Sequence, residues 1–297
     1  MREIFKDANH NRQFSSEGYV HLEALSATVI QRIATFYRET SPQEFSGFRH
    51  SLELRSPKVK QSIHEFLREL FESNLAVYFN DYQPIASTFV SKQPDSTGTV
   101  HPHQDWTFVD ESKYASINLW IPLCDTNSVN GRLGFIKGSH RLNQNVRGSN
   151  IPPRIVSKRP LEQYAVFEDM KAGEVMIYDH RLIHCSGNNG SDRERTAASI
   201  SIIPKESTPL HFVGDKSRRS KLLQVQVDER FYWNYFLDSL VYRDPASNHN
   251  VDIEGYASRE VDYSMPAIDV DAIGGNSRSG GFKALMGLGG RLKARWT

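Results

Sequence analysis

The chain has 297 residues, of which 38% are hydrophobic and 24% charged, and its formal net charge is +1. A near-neutral chain has no global field that attracts nucleic acid or an anionic membrane, so neither is expected as a partner. The two cysteines, Cys124 and Cys185, are too few for a disulfide framework, and no apolar run has the length of a transmembrane helix. The N-terminus also lacks the apolar core of a signal peptide, so a cytoplasmic globular protein is expected.

The first part of the chain, residues 1–80, contains two predicted amphipathic helices. The first follows Ser26 as N-cap and carries apolar residues at helical spacing as far as Tyr37. The second begins at Ser56-Pro57, a capping residue followed by proline in the first turn, and continues to Phe71. The chain is therefore expected to begin with a helical section.

From residue 84 the pattern changes to short strand-like runs separated by turns. The runs are "PIASTFVSK" (84–92), "YASINLWIPL" (114–123), "RLGFIKG" (132–138), "GEVMIYD" (173–179) and "RTAASISIIP" (195–204). Turn signals such as "PDSTG" and "VNG" between short strands predict an antiparallel sandwich or barrel. The segment 141–160 has no periodicity and is predicted to be a lid or substrate loop.

The C-terminal part has weaker signals. A strand over 221–227 and an aromatic-rich helix over 229–240 are predicted, and residues 246–297 form an extension rich in Asn, Ser and Gly. Its last segment, "SRSGGFKALMGLGGRLKARWT", carries five basic residues and no acidic one. Its apolar residues could form a helix that docks on a membrane or an acidic partner, but its glycines oppose a stable helix and favour a flexible tail.

The stretch "HPHQDW" (101–106) contains the first candidate metal ligands. A strand alternates its faces, so His103 and Asp105 are predicted to point the same way, with Gln104 on the other side. His101 shares their parity, but Pro102 disturbs the ladder between the two histidines. A His-x-Asp triplet occurs by chance in a chain of this composition, so its meaning depends on a further ligand elsewhere.

The segment 173–199 supplies that candidate. A strand ends in His184, a Gly- and Asn-rich turn follows, and a second strand begins at Arg195. An antiparallel pair joined in this way would place Arg195 behind His184 on one side of a sheet. Two histidines and one carboxylate form the facial triad of non-haem Fe(II) oxygen chemistry. A cation close to such a metal suits an anionic co-substrate that chelates the iron at its other end.

At these residues the chain resembles the phytanoyl-CoA dioxygenase family of Fe(II)- and 2-oxoglutarate-dependent oxygenases. The matching motifs, in the family's order, are "FVSKQPDSTG", "HQD", "INLWIPLCDTNSVNGRLGFIKGSHR" and "HCSGNNGSDRER". The resemblance implies a mainly β fold with flanking helices and a double-stranded β-helix, or jelly-roll, core over about 84–214. It also implies a single catalytic domain over 1–245, with its helices in 1–80 and a C-terminal strand and helix to 245.

The resemblance also assigns residues. It implies iron bound by three ligands, His103, Asp105 and His184. It implies four residues at the 2-oxoglutarate site: Arg195 and Ser186 on the distal carboxylate, and Trp120 and Thr88 beside the co-substrate. Three positions depart from the family pattern, namely Cys185, Glu174 and Lys137 in place of the usual Gly, Asp and Pro. Cys185 would place a thiol beside an oxygen-activating metal, where it could be oxidised.

The spacing of the family motif distinguishes the site residues from similar residues nearby. His180 competes with His184 and Arg193 with Arg195, and the step of eleven residues from histidine to arginine favours His184 and Arg195. We therefore expect His180 to be exposed or structural. His140, in "GSHR", is expected to stabilise a turn rather than to bind metal.

The activity that the resemblance implies is hydroxylation of an aliphatic C–H with Fe(II), 2-oxoglutarate and O2, releasing succinate and CO2. The substrate is expected to be a small molecule or an acyl or carrier-linked group. Its walls are expected to come from 141–160, 106–113 and 229–240, and the basic residues of 141–160 suggest an anionic substrate. Desaturation or cyclisation at the same site, a cupin-type metal protein without 2-oxoglutarate, and a non-catalytic binding protein are the alternatives. Halogenation is disfavoured because Asp105 fills the position that a halide would need.

Overall fold

The computed structural model describes residues 2–41, 45–95, 97–142, 145–215, 220–235, 253, 255–264 and 266–273. The α-helices of these segments are α1 (Ala8–Glu17), α2 (Ala27–Thr40), α3 (Pro57–Asn74) and α4 (Glu229–Asn234). Their strands are β1 (Tyr19–Leu22), β2 (Phe48–His50), β3 (Tyr82–Lys92), β4 (Val100–His103), β5 (Ile117–Pro122), β6 (Leu133–Phe135), β7 (Ile155–Val156), β8 (Val166–Phe167), β9 (Val175–Asp179), β10 (His184–Ser186), β11 (Arg195–Pro204), β12 (Leu210–Gly214), β13 (Lys221–Gln226), β14 (Ser258–Asp262) and β15 (Ile268–Asp269). Among them, no helix has both the length and the apolar character that crossing a membrane requires.

The two predicted N-terminal helices begin at the predicted caps. The hydroxyl of Ser26 accepts a hydrogen bond from the amide of Val29 at 3.4 Å, and that of Ser56 accepts one from Val59 at the same distance. These bonds satisfy amides that have no partner within the helix. A third helix, α1, precedes them and was not expected from the sequence.

Ten of the strands form two antiparallel sheets. The larger sheet has the order β1-β9-β5-β11-β3-β2, and the smaller has the order β4-β10-β6-β8. Strands that are distant in sequence, such as β3 and β11, are neighbours in the larger sheet. This interleaved antiparallel order confirms the predicted jelly-roll core with flanking helices.

The two faces of the larger sheet have different partners. On β11, Ala198, Ile200 and Ile202 belong to the core cluster that also contains the buried residues of α1, α2 and α3. Ala197, which alternates with them, belongs to a cluster that includes residues of the smaller sheet. The helices therefore cover the outer face, and the inner face looks toward the second sheet.

The C-terminal part adds a smaller sheet of order β12-β13-β14, and β15 pairs in parallel with β7. Strands β14 and β15 lie in the extension predicted over 246–297. Of the aromatic helix predicted over 229–240, α4 covers Glu229–Asn234, and residues 236–240 lie outside the described residues. The basic segment 277–297 lies outside them as well.

Candidate metal centre

A cavity of about 330 Å³ contains all the residues that the sequence singles out for the site. Those residues are His103, Asp105, His184, Arg195, Ser186, Trp120 and Thr88. They come from both sheets: His103, His184 and Ser186 from the smaller, and Arg195, Trp120 and Thr88 from the larger. The jelly roll therefore brings together residues separated by up to about 107 positions in the sequence, from Thr88 to Arg195.

Three of these side chains converge on one point. His103 and His184 are opposite each other in the β4–β10 pair, and their ring centroids are 4.3 Å apart. The Nε2 atom of each lies 3.7 Å from Oδ1 of Asp105. One ligand atom from each residue lies within 4.8 Å of the others, a spacing that one metal ion can bridge.

Hydrogen bonds hold both histidine rings with Nε2 directed toward this point. Nδ1 of His103 lies 2.8 Å from the carbonyl oxygen of His101, and Nδ1 of His184 lies 3.0 Å from that of Leu182. A carbonyl oxygen only accepts, so each Nδ1 carries the proton and donates it. Each Nε2 is therefore left with a free lone pair, the form of imidazole that binds metal.

The protonation states at the site also suit a metal. Burial and the neighbouring His184 lower the pKa of His103 to about 4, so its ring is neutral at pH 7. Burial tends to raise the pKa of Asp105, but the electrostatic influence of His184, the other nearby histidines and Arg147 outweighs it, and the net pKa lies below the ordinary value. The set at neutral pH is thus one carboxylate and one neutral imidazole beside His184.

Asp105 reaches the site differently from the prediction. Strand β4 ends at His103, so Asp105 lies beyond the strand rather than alternating along it. Its amide donates to the carbonyl of His180 at 3.0 Å. Gln104, predicted on the opposite side, also lines the cavity and donates to the carbonyl of Arg181. The prediction for Gln104 was wrong because strand β4 ends at His103, two residues before Asp105, so the alternation of faces does not continue through Gln104.

Arg195 lies at the cavity as a buried cation. Its side chain donates to the carbonyls of Asn130 at 3.4 Å and Gly131 at 2.9 Å, and its guanidinium carbon lies 5.3 Å from the ring centre of Trp120. Both hydrogen bonds go to backbone carbonyls, and no carboxylate of the described residues forms an ion pair with it. Burial lowers the pKa of Arg195 to about 10, which leaves it charged at neutral pH. A buried positive charge of this kind favours an anionic ligand.

The relation between His184 and Arg195 differs from the expected hairpin. Strand β10 belongs to the smaller sheet and β11 to the larger one, so the two residues do not lie on one side of one sheet. Arg195 faces the cavity because it lies on the same face of β11 as Ala197 and Ser199. It therefore approaches the histidines from the opposite wall.

Of the remaining predicted residues, Thr88 lies opposite Ser199, four residues from Arg195 along β11, while Ser186 contacts a lysine that the sequence did not single out. Ser186 is buried on β10, and its carbonyl accepts a hydrogen bond from Nζ of Lys92 at 3.2 Å. Lys92 is fully buried and pairs in register with Arg195. The Thr88 hydroxyl lies 2.7 Å from that of Ser51. Nothing in the stretch "FVSK" (89–92) distinguishes Lys92 from an exposed lysine, so the sequence could not predict its burial at the site.

The rival residues occupy other places. His180 is buried, and its two ring nitrogens lie 2.9 Å and 3.2 Å from the hydroxyls of Ser116 and Ser201, which makes it structural.

The other rivals also lie away from the cavity. Arg193 is exposed in the turn before β11. His140 is buried, with Nε2 3.2 Å from the carbonyl of Ser15. His101 is exposed. His184 and Arg195 are the ones that line the cavity.

The walls of the cavity differ from the expectation. Trp106 and Phe108, from the predicted loop 106–113, line it. No described residue of 141–160 or 229–235 does, while an unexpected segment contributes Phe48, His50 and Leu52. The predicted walls were wrong in part, because the basic excursion packs elsewhere: Arg159 lies over the ring of Tyr164, 4.4 Å from its centre. Among the described wall residues, the cavity is mainly apolar and aromatic.

A jelly roll whose interior presents two histidines, one carboxylate and a buried arginine defines the class of cupin-like metal oxygenases. Residues 28–197, more than half of the chain, match the model of the family "Phytanoyl-CoA dioxygenase (PhyH)". The chain belongs to this family, whose members are Fe(II)- and 2-oxoglutarate-dependent oxygenases that use O2. The family and the cofactors expected from the sequence are thus confirmed.

Curated relatives carry the same family name. A "Phytanoyl-CoA dioxygenase" of Arabidopsis thaliana is 31% identical over 193 residues, which are 59% of this chain and 67% of that protein. "Phytanoyl-CoA dioxygenase 1" of Oryza sativa is 29% identical over 190 residues, with the same shares. Among solved structures, the chain is similar to the non-heme alpha-ketoglutarate-dependent epimerase SnoN from nogalamycin biosynthesis, with a TM-score of 0.49, 21% identity, and coverage of 68% of this chain and 84% of that one.

Proposed function

We propose that this protein is an Fe(II)- and 2-oxoglutarate-dependent dioxygenase that hydroxylates an aliphatic C–H of a small-molecule or carrier-linked substrate. Succinate and CO2 are the co-products. The observation that carries the proposal is the convergence of His103, Asp105 and His184 in a cavity whose opposite wall presents the buried Arg195. Metal ligands and an anion-binding cation at one cavity are the two requirements of this chemistry.

The metal would be held by Nε2 of the two histidines and by the Asp105 carboxylate. The donor set fits Fe(II), which accepts imidazole nitrogen and carboxylate oxygen, and three protein ligands leave positions for the co-substrate and O2. Bound iron with 2-oxoglutarate and O2 supplies an oxidant strong enough to break an aliphatic C–H. The backbone carbonyls of His101 and Leu182 keep both rings in the metal-binding tautomer.

The co-substrate would be oriented by Arg195. Its Nε and Nη2 are bound to carbonyls of the turn 130–131, while Nη1 makes no hydrogen bond within the described segments. Nη1 can therefore donate to the distal carboxylate of 2-oxoglutarate. We assign Ser186 to the same carboxylate, Trp120 to the packing surface beneath Arg195, and Thr88 to the neighbouring wall.

The substrate would be recognised mainly through apolar contacts. Phe48, Leu52, Trp106 and Phe108 line the cavity, and Arg195 is the only arginine or lysine among its described lining residues. A volume of about 330 Å³ is at the low end for small-molecule sites, which span roughly 300–1,000 Å³. We infer that the part of the substrate that enters is small and uncharged, and that any anionic group stays outside.

The alternatives differ in what they require of these residues. A cupin-type metal protein without 2-oxoglutarate would have no use for a buried arginine that has no carboxylate partner among the described residues. A non-catalytic binding protein would not need three intact ligands in the metal-binding tautomer. Desaturation and cyclisation use the same ligands, so they differ from hydroxylation in the product alone.

A metabolite screen tests the reaction. The protein with Fe(II), 2-oxoglutarate and O2 is incubated with compound pools, and succinate is measured together with the mass of each consumed compound. We expect substrate-stimulated succinate and a product that gains one oxygen atom, with none of this in the Asp105→Ala variant. A product that loses two hydrogens instead would overturn hydroxylation in favour of desaturation or ring closure.

A further inference from the structure

Of the three metal ligands, Asp105 is the one that does not lie in a strand. His103 and His184 lie in the paired strands β4 and β10, whose ladder fixes their backbones. Asp105 lies beyond the end of β4 and depends on individual hydrogen bonds. Its amide donates to the carbonyl of His180 at 3.0 Å, and its own carbonyl accepts from Nε of Arg147 at 2.7 Å. The position of the carboxylate thus depends on a side chain 42 residues away.

Arg147 is itself fixed by a buried ion pair. Its Nη1 and Nη2 donate to the two carboxylate oxygens of Glu111 at 2.8 Å and 2.6 Å, and Nη1 also donates to the carbonyl of Asn145 at 2.6 Å. The two charged side chains are only 8% and 5% exposed. A planar guanidinium with a bidentate carboxylate is locked in orientation, so Nε points at Asp105 without rotational freedom.

The backbone of Arg147 reinforces the same contact. Its carbonyl accepts from the amide of Thr107 at 3.1 Å, and its amide donates to the hydroxyl of Thr107 at 3.0 Å. The loop 105–111 is therefore tied to Arg147 at its start by Asp105, in its middle by Thr107 and at its end by Glu111. Trp106 and Phe108, which line the cavity, lie between these ties.

We propose that Arg147, fixed by Glu111, is the positioning residue that holds Asp105 for metal binding and sets the wall formed by Trp106 and Phe108. The inference rests on the proposed function, because it concerns the same metal site. Arg147 therefore has a structural role in the interior, whereas the sequence analysis counted it among the basic residues of a predicted substrate loop. Arg147 itself touches neither metal nor substrate.

Metal affinity measured apart from turnover tests this role. Co(II), which is stable in air, is titrated into metal-free protein, and binding is followed by its visible absorption. Loss of an outer partner of a metal ligand typically lowers metal affinity by about 10–100-fold, and we expect a loss in this range for Arg147→Lys. Lysine keeps the charge opposite Glu111 but cannot bind a carboxylate bidentately and donate to Asp105 as well.

Stability must be separated from positioning, because an unpaired buried charge can unfold the protein. The double variant Arg147→Met/Glu111→Met replaces the pair by apolar side chains of similar size, which often preserves stability. We expect its urea midpoint to stay near that of the wild type and its Co(II) affinity to fall as in Arg147→Lys. Arg32→Met, which removes an exposed ion pair with Glu69, is the matched control and should bind Co(II) like the wild type.

The outcomes distinguish this inference from the proposed function. Wild-type protein that fails to bind Co(II) would contradict the metal site itself. Wild-type binding with unchanged affinity in Arg147→Lys, or in the folded double variant, would overturn only the role of Arg147. Reduced affinity in both variants, with folding intact by circular dichroism, supports it.

Discussion

At the scale of single residues, the site is decided by which of two similar side chains faces the cavity. His180 and His184 are four positions apart, and both are buried. Both ring nitrogens of His180 are hydrogen-bonded to serine hydroxyls. In His184, Nδ1 is hydrogen-bonded to a backbone carbonyl, and Nε2 is left to bind metal. The difference lies in the partners rather than in the residue type, and no sequence pattern other than the family spacing could have supplied it.

The two arginines before and at β11 provide a matched pair of variants. Arg195→Met should raise the Kd of 2-oxoglutarate by about 100-fold, because truncating one partner of a buried charge pair costs roughly 2–5 kcal/mol. Arg193→Met should leave it unchanged, since Arg193 is exposed. The Kd is measured by titrating 2-oxoglutarate into the anaerobic Fe(II) protein. Equal affinity in the two variants would rule out Arg195 as the co-substrate residue.

Cys185 departs from the family pattern, and its reactivity can be predicted from burial. It is 3% exposed on β10 and lines the cavity, but burial raises the pKa of its thiol to about 12, so almost no reactive thiolate is present at neutral pH. In the native protein we expect iodoacetamide to leave Cys185 unmodified by mass spectrometry, and to label it fully in guanidinium. Rapid labelling of the native metal-free protein would show that the thiol is accessible and open to oxidation.

At the scale of elements, strand parity determines how β11 serves two purposes. Ile200 faces the helices and is fully buried, while Ser199 lines the cavity and donates to Asn118 at 2.9 Å. Ile200→Ala should lower the free energy of unfolding by about 2–5 kcal/mol, the usual cost of a large-to-small change in a core. Metal affinity of the folded fraction should not change. Urea unfolding and Co(II) titration measure the two effects.

Ser199→Phe is the complementary change on the same strand. A phenyl group inside a cavity of about 330 Å³ should reduce 2-oxoglutarate or substrate binding and leave Co(II) binding in place. If Ser199→Phe instead left co-substrate and substrate binding intact and Ile200→Ala disturbed the site, the register of β11 would have to be shifted by one residue.

Some elements could be predicted from the sequence and others could not, for physical reasons. Ser26 and Ser56 mark their helices because a cap and apolar periodicity coincide there. Helix α1 has Phe14 as its only buried residue, so it carries no periodic signal. The wall formed by Phe48, His50 and Leu52 was missed because its residues acquire a function only through pairing of β2 with β3, which is non-local.

The basic excursion shows the same limit for the site. Arg147 and Arg159 have the same charge in the sequence, but one is buried against Glu111 and the other lies exposed over Tyr164. Composition alone therefore suggested an anionic substrate that the lining of the cavity does not support. The metal ligands were predictable because their spacing is characteristic of a family, and the walls were not because specificity lies in loops.

At the scale of the whole molecule, metal binding should stabilise the fold, because the ligands come from distant parts of the chain. At about 100 times its Kd, Co(II) should raise the free energy of unfolding by about 2.7 kcal/mol and the Tm by several degrees. EDTA should reverse the effect, and Asp105→Ala should show less of it. Thermal unfolding followed by circular dichroism measures the shift. An identical Tm with and without metal would contradict the claim that the metal binds only to the folded protein.

The central claim is that one site binds Fe(II) through His103, Asp105 and His184 and 2-oxoglutarate through Arg195. Its most direct test is the visible absorption of the wild-type protein after anaerobic addition of Fe(II) and 2-oxoglutarate. We predict a weak metal-to-ligand charge-transfer band that saturates with 2-oxoglutarate and is missing in His184→Ala. A well-folded wild-type protein that shows no such band would contradict the claim.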